Sequence, residues 1–175
     1  IWDGNDVTRV MWFFQAQSIL HSRSAWIMPT DFLDYIDVVV PARLALRFLV
    51  GDLLGLKHIL LPLYRHQEGE IGHWTTVHID LAQRIFIVYD FTTWCTPFEQ
   101  IARLAHWLDR FVASAYLYSP SCLGFRHWKV RTPVLRQPQD RTSCGPLAIA
   151  ALDTILHGDA PRCIPAADAE ACRRL

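Results

Sequence analysis

Lysine is almost missing from this chain of 175 residues: only Lys57 and Lys129 occur, beside fifteen arginines. A GC-rich genome accounts for such an exchange. Neither sign of charge dominates, with 17 basic against 17 acidic residues spread along the whole length. Without a basic stripe or a Lys/Arg run, nucleic acid is excluded as the main partner. Long apolar runs are also lacking. The longest fall far short of the ~20 residues needed to cross a bilayer, so no membrane partner is expected. The opening segment carries Asp3, Asp6 and Arg9 ahead of its apolar residues, which does not suit a signal peptide. No C-x-x-C pair is present, and five cysteines (Cys95, Cys122, Cys144, Cys163, Cys172) are an odd number at irregular spacing. That is neither a disulfide framework nor a zinc site; no cofactor or metal is expected, and a reducing intracellular compartment follows. No repeat, low-complexity segment or Gly/Ser linker divides the chain, so residues 1–175 read as a single domain. Because it opens on Ile1 and not Met, it is expected to be a fragment of something longer.

What the chain does have is core. Apolar residues make up 51% and charged residues only 19%. A chain of this length can bury roughly 70% of the surface that its unfolded form exposes. The first third reads as helical. Asn5 or Asp6 can cap a helix with Val7, Val10, Met11 and Phe14 on one face. Thr30-Asp31 is another start signal, and Pro41 suits the first position of a helix through Leu49. The pattern then changes. His58 to Tyr64 is a short apolar run with a proline, which predicts an exposed-edge or terminal strand.

Residues 73–80 (HWTTVHID) and 85–90 (IFIVYD) are rich in β-branched and aromatic types, and the polar stretch Asp80–Arg84 divides them. This predicts a hairpin. Thr96-Pro97-Phe98-Glu99 forms a capping box with proline at the first helical position. Behind it Ile101, Leu104, Ala105, Leu108, Phe111 and Val112 recur at helical spacing. Strand-like segments return at His127–Arg131 and Pro133–Arg136. The loop Gln137–Ser143 leads into an apolar helix that begins at Cys144 and that Gly158 ends. Asp159–Pro165 reads as loop, followed by a short helix to Leu175. Helices, then a sheet with one long helix inserted, then a buried helix describe an α+β domain.

Three residues in this layout can do chemistry. With the hairpin turn centred near residues 81–83, His73 lies opposite position 90 or 91, so Asp90 could accept a hydrogen bond from its imidazole. Such a bond fixes the tautomer and stabilises the imidazolium. By itself the pair suits a purely structural role better, since His and Asp are common at strand ends. Cys144 sits where a polar loop becomes an apolar helix, with Ser143 or Thr142 available as cap. The partial positive charge of a helix N-terminus favours thiolate over thiol and places the Cys144 amide where an oxyanion would form. A buried free cysteine packing as a small hydrophobe fits the same position, and that is the reading for the other four.

The run HWTTVHIDLAQRIFIVYD, followed much later by QPQDRTSCGPLAIAAL, resembles the signature of the ubiquitin-like-protein-specific (SUMO-deconjugating) cysteine proteases. In that family a His-Trp pair opens a strand, an Asp closes the next, and a Gln precedes a Cys-Gly at a helix start. Trp2 with Asn5-Asp6 is similar to the family's Trp-Leu-Asn-Asp helix start, so the likeness covers nearly the whole chain. It implies a papain-like α+β fold of the ubiquitin-like protease type: a central mixed sheet flanked by helices, with the nucleophile at the N-terminus of a buried helix. It implies Cys144 as nucleophile, His73 as its base and Asp90 as the group that holds His73. Trp74 would cover a narrow tunnel for the modifier's Gly-Gly, with Trp2 on the opposite side; the alternative for Trp74 is a core tryptophan.

Two positions depart from the family pattern. The oxyanion glutamine would fall on Pro138, flanked by Gln137 and Gln139; a one-residue loop insertion favours Gln137 and leaves Gln139 open. Ser143 stands where many members have Asp. The implied function is hydrolysis of the peptide or isopeptide bond after a modifier's Gly-Gly, SUMO first, with ubiquitin or another modifier as alternatives. Lysine avoidance by a protein working among ubiquitin-type ligases would fit as well. The implied location is the nucleus or cytoplasm, or a host cell for a secreted effector. Two other readings share the scaffold: an acetyltransferase of the related effector branch, and a catalytically silent modifier-binding domain. Asp90 in place of Glu and the absence of an Arg cluster speak against the first, and the intact Cys–His–Asp set against the second.

Overall fold

A computed structural model describes residues 25–36, 56–65, 72–91, 97–115, 128–133, 135 and 143–161. Their order is β1 (Ala25–Ile27), α1 (Phe32–Tyr35), β2 (His58–Arg65), β3 (His73–Asp80), β4 (Ile85–Tyr89), α2 (Phe98–Ala115), β5 (Lys129–Arg131) and α3 (Cys144–Leu156). The helices expected from Asn5 or Asp6 and from Pro41, and the last one before Leu175, lie outside the described residues. The strands form one mixed sheet in the order β1-β2-β3-β4-β5, with an antiparallel centre and a parallel pairing at each margin. This is the expected α+β architecture.

Alternation along the strands divides the side chains between two layers. Ile59, Leu61, Leu63, Val77, Ile79, Phe86 and Val88 face α2, whose Ile101, Leu104, Ala105 and Leu108 supply the predicted apolar stripe. Phe111 and Val112 continue that helix, but their side chains lie outside the described set. Trp26, Phe32 and Trp107 close this layer with ring contacts, edge-on from Phe32 to each indole and tilted between the two indoles; Phe32 and Trp107 lie at 4.9 Å and 90°. On the opposite face Leu60 and Trp74 pack beneath Ala148, Ile149 and Leu152 of α3. Both faces are therefore covered, and every residue of the central strand β3 is buried.

Two expectations change. Ala25–Ile27 is a strand within the stretch that reads as helical. Three residues are too few to show a period of two, and pairing with β2 holds them extended. Strand β2 is internal, between β1 and β3, not at an edge or an end of the sheet. Its proline is tolerated for a local reason. The Leu60 carbonyl faces β1 and accepts from the Met28 N–H at 2.8 Å. Pro62, two residues on, turns its nitrogen the same way but beyond the end of β1, so no ladder donor is lost. Pro133 and Leu135 carry no strand pairing, so the second segment expected after His127 does not form there.

Candidate active site

The hairpin brings the first two candidate residues together, by a register that puts position 92, not 90 or 91, in line with His73. Its turn is the four residues Leu81–Arg84: the Asp80 carboxylate accepts from the Gln83 N–H at 2.8 Å, and Arg84 takes a left-handed φ of 54°. Asp80 then pairs with Ile85 and Thr76 with Tyr89. Continued by one residue, this places Asp90 opposite Thr75, not opposite His73. Because side-chain direction repeats every two residues, His73 and Asp90 still share a face as diagonal neighbours. Their side chains close the gap, with His73 Nε2 to Asp90 Oδ1 at 2.9 Å, and both are buried.

The third comes from α3. Cys144 is its first residue, and the helix closes as the sequence predicts. Gly158 at φ 86° ends it, with Gly158 N–H to Ile155 O at 2.9 Å and Asp159 N–H to Thr154 O at 3.1 Å. Pro146 falls in the first turn, where a missing N–H costs nothing. Ser143 occupies the N-cap position, but in a helical conformation (φ −93°, ψ −3°) from which its side chain makes no capping bond. What anchors the helix was not legible in the sequence. Thr76, at mid β3, donates its hydroxyl to the Ala148 carbonyl at 2.8 Å. That bond lies one helical turn from Cys144 and two residues from Trp74, and it seats the thiol over the start of β3.

There the Cys144 thiol is buried, in hydrogen-bonding reach of the His73 ring and of the Trp74 and Gly145 backbones. Burial pushes the thiol up. The His73 bond, the two backbone bonds and the imidazolium charge outweigh it, so Cys144 ionises below its ordinary value. Burial likewise pulls the His73 ring down. The bonds to Asp90 and Cys144 and the charges of both prevail, so the ring holds its proton above its ordinary value. The two shifts are halves of one equilibrium, and both favour thiolate beside imidazolium. Nε2 is committed to Asp90, which leaves Nδ1 for the sulfur.

Two further described side chains belong to the neighbourhood, and neither stood out in the sequence. Arg65, cross-strand from His73, brings Nη2 to 3.5 Å from Asp90 Oδ2. Tyr64, cross-strand from Trp74, lays its ring 4.8 Å from the indole and is 46% exposed, whereas Trp74 is 4% exposed. Trp74 is thus a buried neighbour of Cys144 with an aromatic cover. Gly72 lets Tyr64 lie there, because a Cβ at this position would overlap the outer end of the Tyr64 ring and displace it. Gln137, Gln139 and Trp2 lie outside the described residues, as do Cys95, Cys122, Cys163 and Cys172.

Solved structures share this fold, and three of them are representative. The C-terminal Ulp1 protease domain in complex with Smt3, the yeast ortholog of SUMO, is 16% identical; the match covers 95% of this chain and 72% of that one, with a TM-score of 0.68. The effector ChlaDUB of Chlamydia abortus is 16% identical over 99% and 89% of the two chains, with a TM-score of 0.58. XopD of Xanthomonas campestris, solved bound to ubiquitin, is 16% identical over 99% and 91%, with a TM-score of 0.56. At such identity the likeness establishes the fold. No curated protein sequence matches the chain. Residues 48–174, however, match the family model of the Ulp1 protease family, C-terminal catalytic domain. That span includes β2 to β5 and α3, with His73, Asp90 and Cys144 among them. The chain therefore belongs to the Ulp1 protease family, the cysteine proteases specific for ubiquitin-like proteins.

Proposed function

We propose that this chain hydrolyses the peptide or isopeptide bond after the C-terminal Gly-Gly of a ubiquitin-like modifier, with Cys144 as nucleophile, His73 as acid–base and Asp90 as its orienter. The observation that carries the reading is the convergence of three side chains from β3, the end of β4 and the start of α3, with Cys144 and His73 shifted toward an ion pair. The thiolate attacks the carbonyl carbon and the carbonyl oxygen takes the negative charge. The Cys144 N–H, which has no intrahelical partner at the helix start, is one donor for that oxyanion, and Gln137 or Gln139 is the second. His73 then passes the proton from Nδ1 to the leaving amine, and Asp90 stabilises the ring while it is charged. Water, deprotonated by His73, opens the thioester and restores the thiol.

Specificity for glycine follows from the same ground. Trp74 lies beside the sulfur, and a channel closed by an aromatic face admits residues without side chains most easily; Trp2 is assigned to its far side. SUMO is the first modifier to test, since the Ulp1 domain was solved with Smt3; ubiquitin is the second, since XopD was solved with it. The reading places the enzyme in the nucleus or cytoplasm, or in a host cell for a secreted effector. The test is a panel of modifiers carrying C-terminal electrophiles, scored by mass for a covalent adduct on Cys144. An adduct with one or more modifiers, lost in Cys144→Ala, is the expected result. No adduct with any modifier from a folded protein would refute the proposal.

A further inference from the structure

Asp90 has two oxygens and the sheet supplies a different partner to each. His73 Nε2 stands 2.9 Å from Oδ1 on one side, and Arg65 Nη2 stands 3.5 Å from Oδ2 on the other. The β2–β3 pairing puts Arg65 directly opposite His73. The guanidinium therefore reaches the carboxylate from the strand on the far side of β3. The carboxylate side chain is 4% exposed and the Arg65 side chain 16%, so water does not compete freely for either. We propose that Arg65 is a positioning residue of the protease site: by holding Oδ2 it fixes the plane of the Asp90 carboxylate, and through Oδ1 it fixes which nitrogen of His73 carries the proton. The inference rests on the catalytic reading of Cys144, His73 and Asp90 given above.

A guanidinium has only N–H groups, always charged, and can accept nothing. An ionised carboxylate accepts on both sides and satisfies Arg65 and His73 together. His73 then donates from Nε2, and Nδ1 stays open to the thiol proton. Asparagine at position 90 cannot do this. Beside Arg65 its amide oxygen must turn to the guanidinium, which points its NH₂ at His73. Nε2 would then have to accept, and the ring proton would move to Nδ1, where it blocks uptake from Cys144. With Arg65 gone, no guanidinium draws the amide oxygen away, and it can turn back to His73. Arg65 thus makes the site depend on a carboxylate, and not merely on any acceptor, at position 90.

Five proteins test this: wild type, Arg65→Met, Arg65→Lys, Asp90→Asn and the Arg65→Met/Asp90→Asn double variant. Two readouts are taken, kcat and KM on a fluorogenic modifier substrate, and the iodoacetamide alkylation rate of Cys144 against pH, resolved by peptide mass. Arg65→Met should lower kcat on the order of tenfold with KM within twofold, because misplacing a catalytic group costs turnover more than binding. Arg65→Lys, which keeps a donor and a charge, should recover most of that loss. Asp90→Asn should cost on the order of 10²–10³, less than in serine proteases because the thiol is already acidified. The double variant should be several-fold faster than Asp90→Asn alone, in kcat and in alkylation at neutral pH. A double variant at or below the product of the single losses, or Arg65→Met with the wild-type alkylation profile, would overturn the proposal. The alkylation arm needs no modifier, so it tests Arg65 even if no modifier is cleaved, and failure of the protease reading is then seen separately.

Discussion

Histidine 78 makes folding pH-dependent in a window set by its surroundings. It lies on β3 under α3, opposite Leu60 and Ile87, and its Nε2 meets His58 Nδ1 at 3.1 Å. Burial, and then the neighbouring His58, push its ring from 6.5 down to about 4, against the pull of Asp80. Below pH 6.5 the unfolded chain takes up a proton that the folded chain refuses, so acid favours unfolding. The contribution is whole above 6.5, falls by about 1.4 kcal/mol per pH unit below it, and is exhausted once pH passes about 4. At pH 5 the loss is about 2 kcal/mol, and it approaches about 3 kcal/mol at the end of the window. His73 does not add to this slope. Its value is raised, so its contribution is complete below 6.5 and fades only as pH rises through its folded value. His78→Leu removes the titrating ring and places an apolar side chain between Leu60 and Ile87, while half-buried His58 can turn to water. Urea unfolding at pH 7.5 and 5.0, followed by tryptophan fluorescence, compares the two proteins, and the comparison cancels groups common to both. Wild type should lose about 1 M more than His78→Leu in its midpoint between the two pH values. Equal losses in both would show that His78 is not held neutral by the fold.

Cys144→Ala should abolish cleavage and keep the melting temperature and modifier binding; turnover by this variant would remove the mechanism. Trp74→Ala should lower turnover by orders of magnitude. It should also cost about 3–5 kcal/mol of stability, because the indole is buried against Cys144 and Ile149. Turnover per folded molecule, from activity and unfolding measured together, separates the two effects, and an unchanged value would make Trp74 a packing residue only. Gly72→Ala should push Tyr64 off the Trp74 ring, seen as a changed tryptophan emission and a fall in activity. Gly72→Ala/Tyr64→Ala should relieve the overlap, and identical emission in wild type and Gly72→Ala would refute the contact.

Local signals in the chain decided a good deal. The β-branched runs at 73–80 and 85–90, the apolar stripe behind Pro97 and the helix from Cys144 to a terminal glycine are written in neighbouring residues, and each forms where the pattern places it. The motif likeness also reached the family, because order and spacing of His73, Asp90 and Cys144 survive where overall identity does not. Other features depend on partners distant in sequence. A three-residue strand at Ala25 forms by pairing with β2, and Pro62 sits inside the sheet where β1 stops short of it. The diagonal meeting of His73 and Asp90 follows from a four-residue turn whose length the sequence suggests but whose register depends on Asp80 and Arg84. Thr76 and Arg65 carry no motif at all. Their contacts reach across 72 and 25 residues, to Ala148 and to Asp90. The sequence by itself determined which elements form and which residues could react. The tertiary structure decided which of those side chains meet, since only long-range pairing sets distances between groups so far apart along the chain.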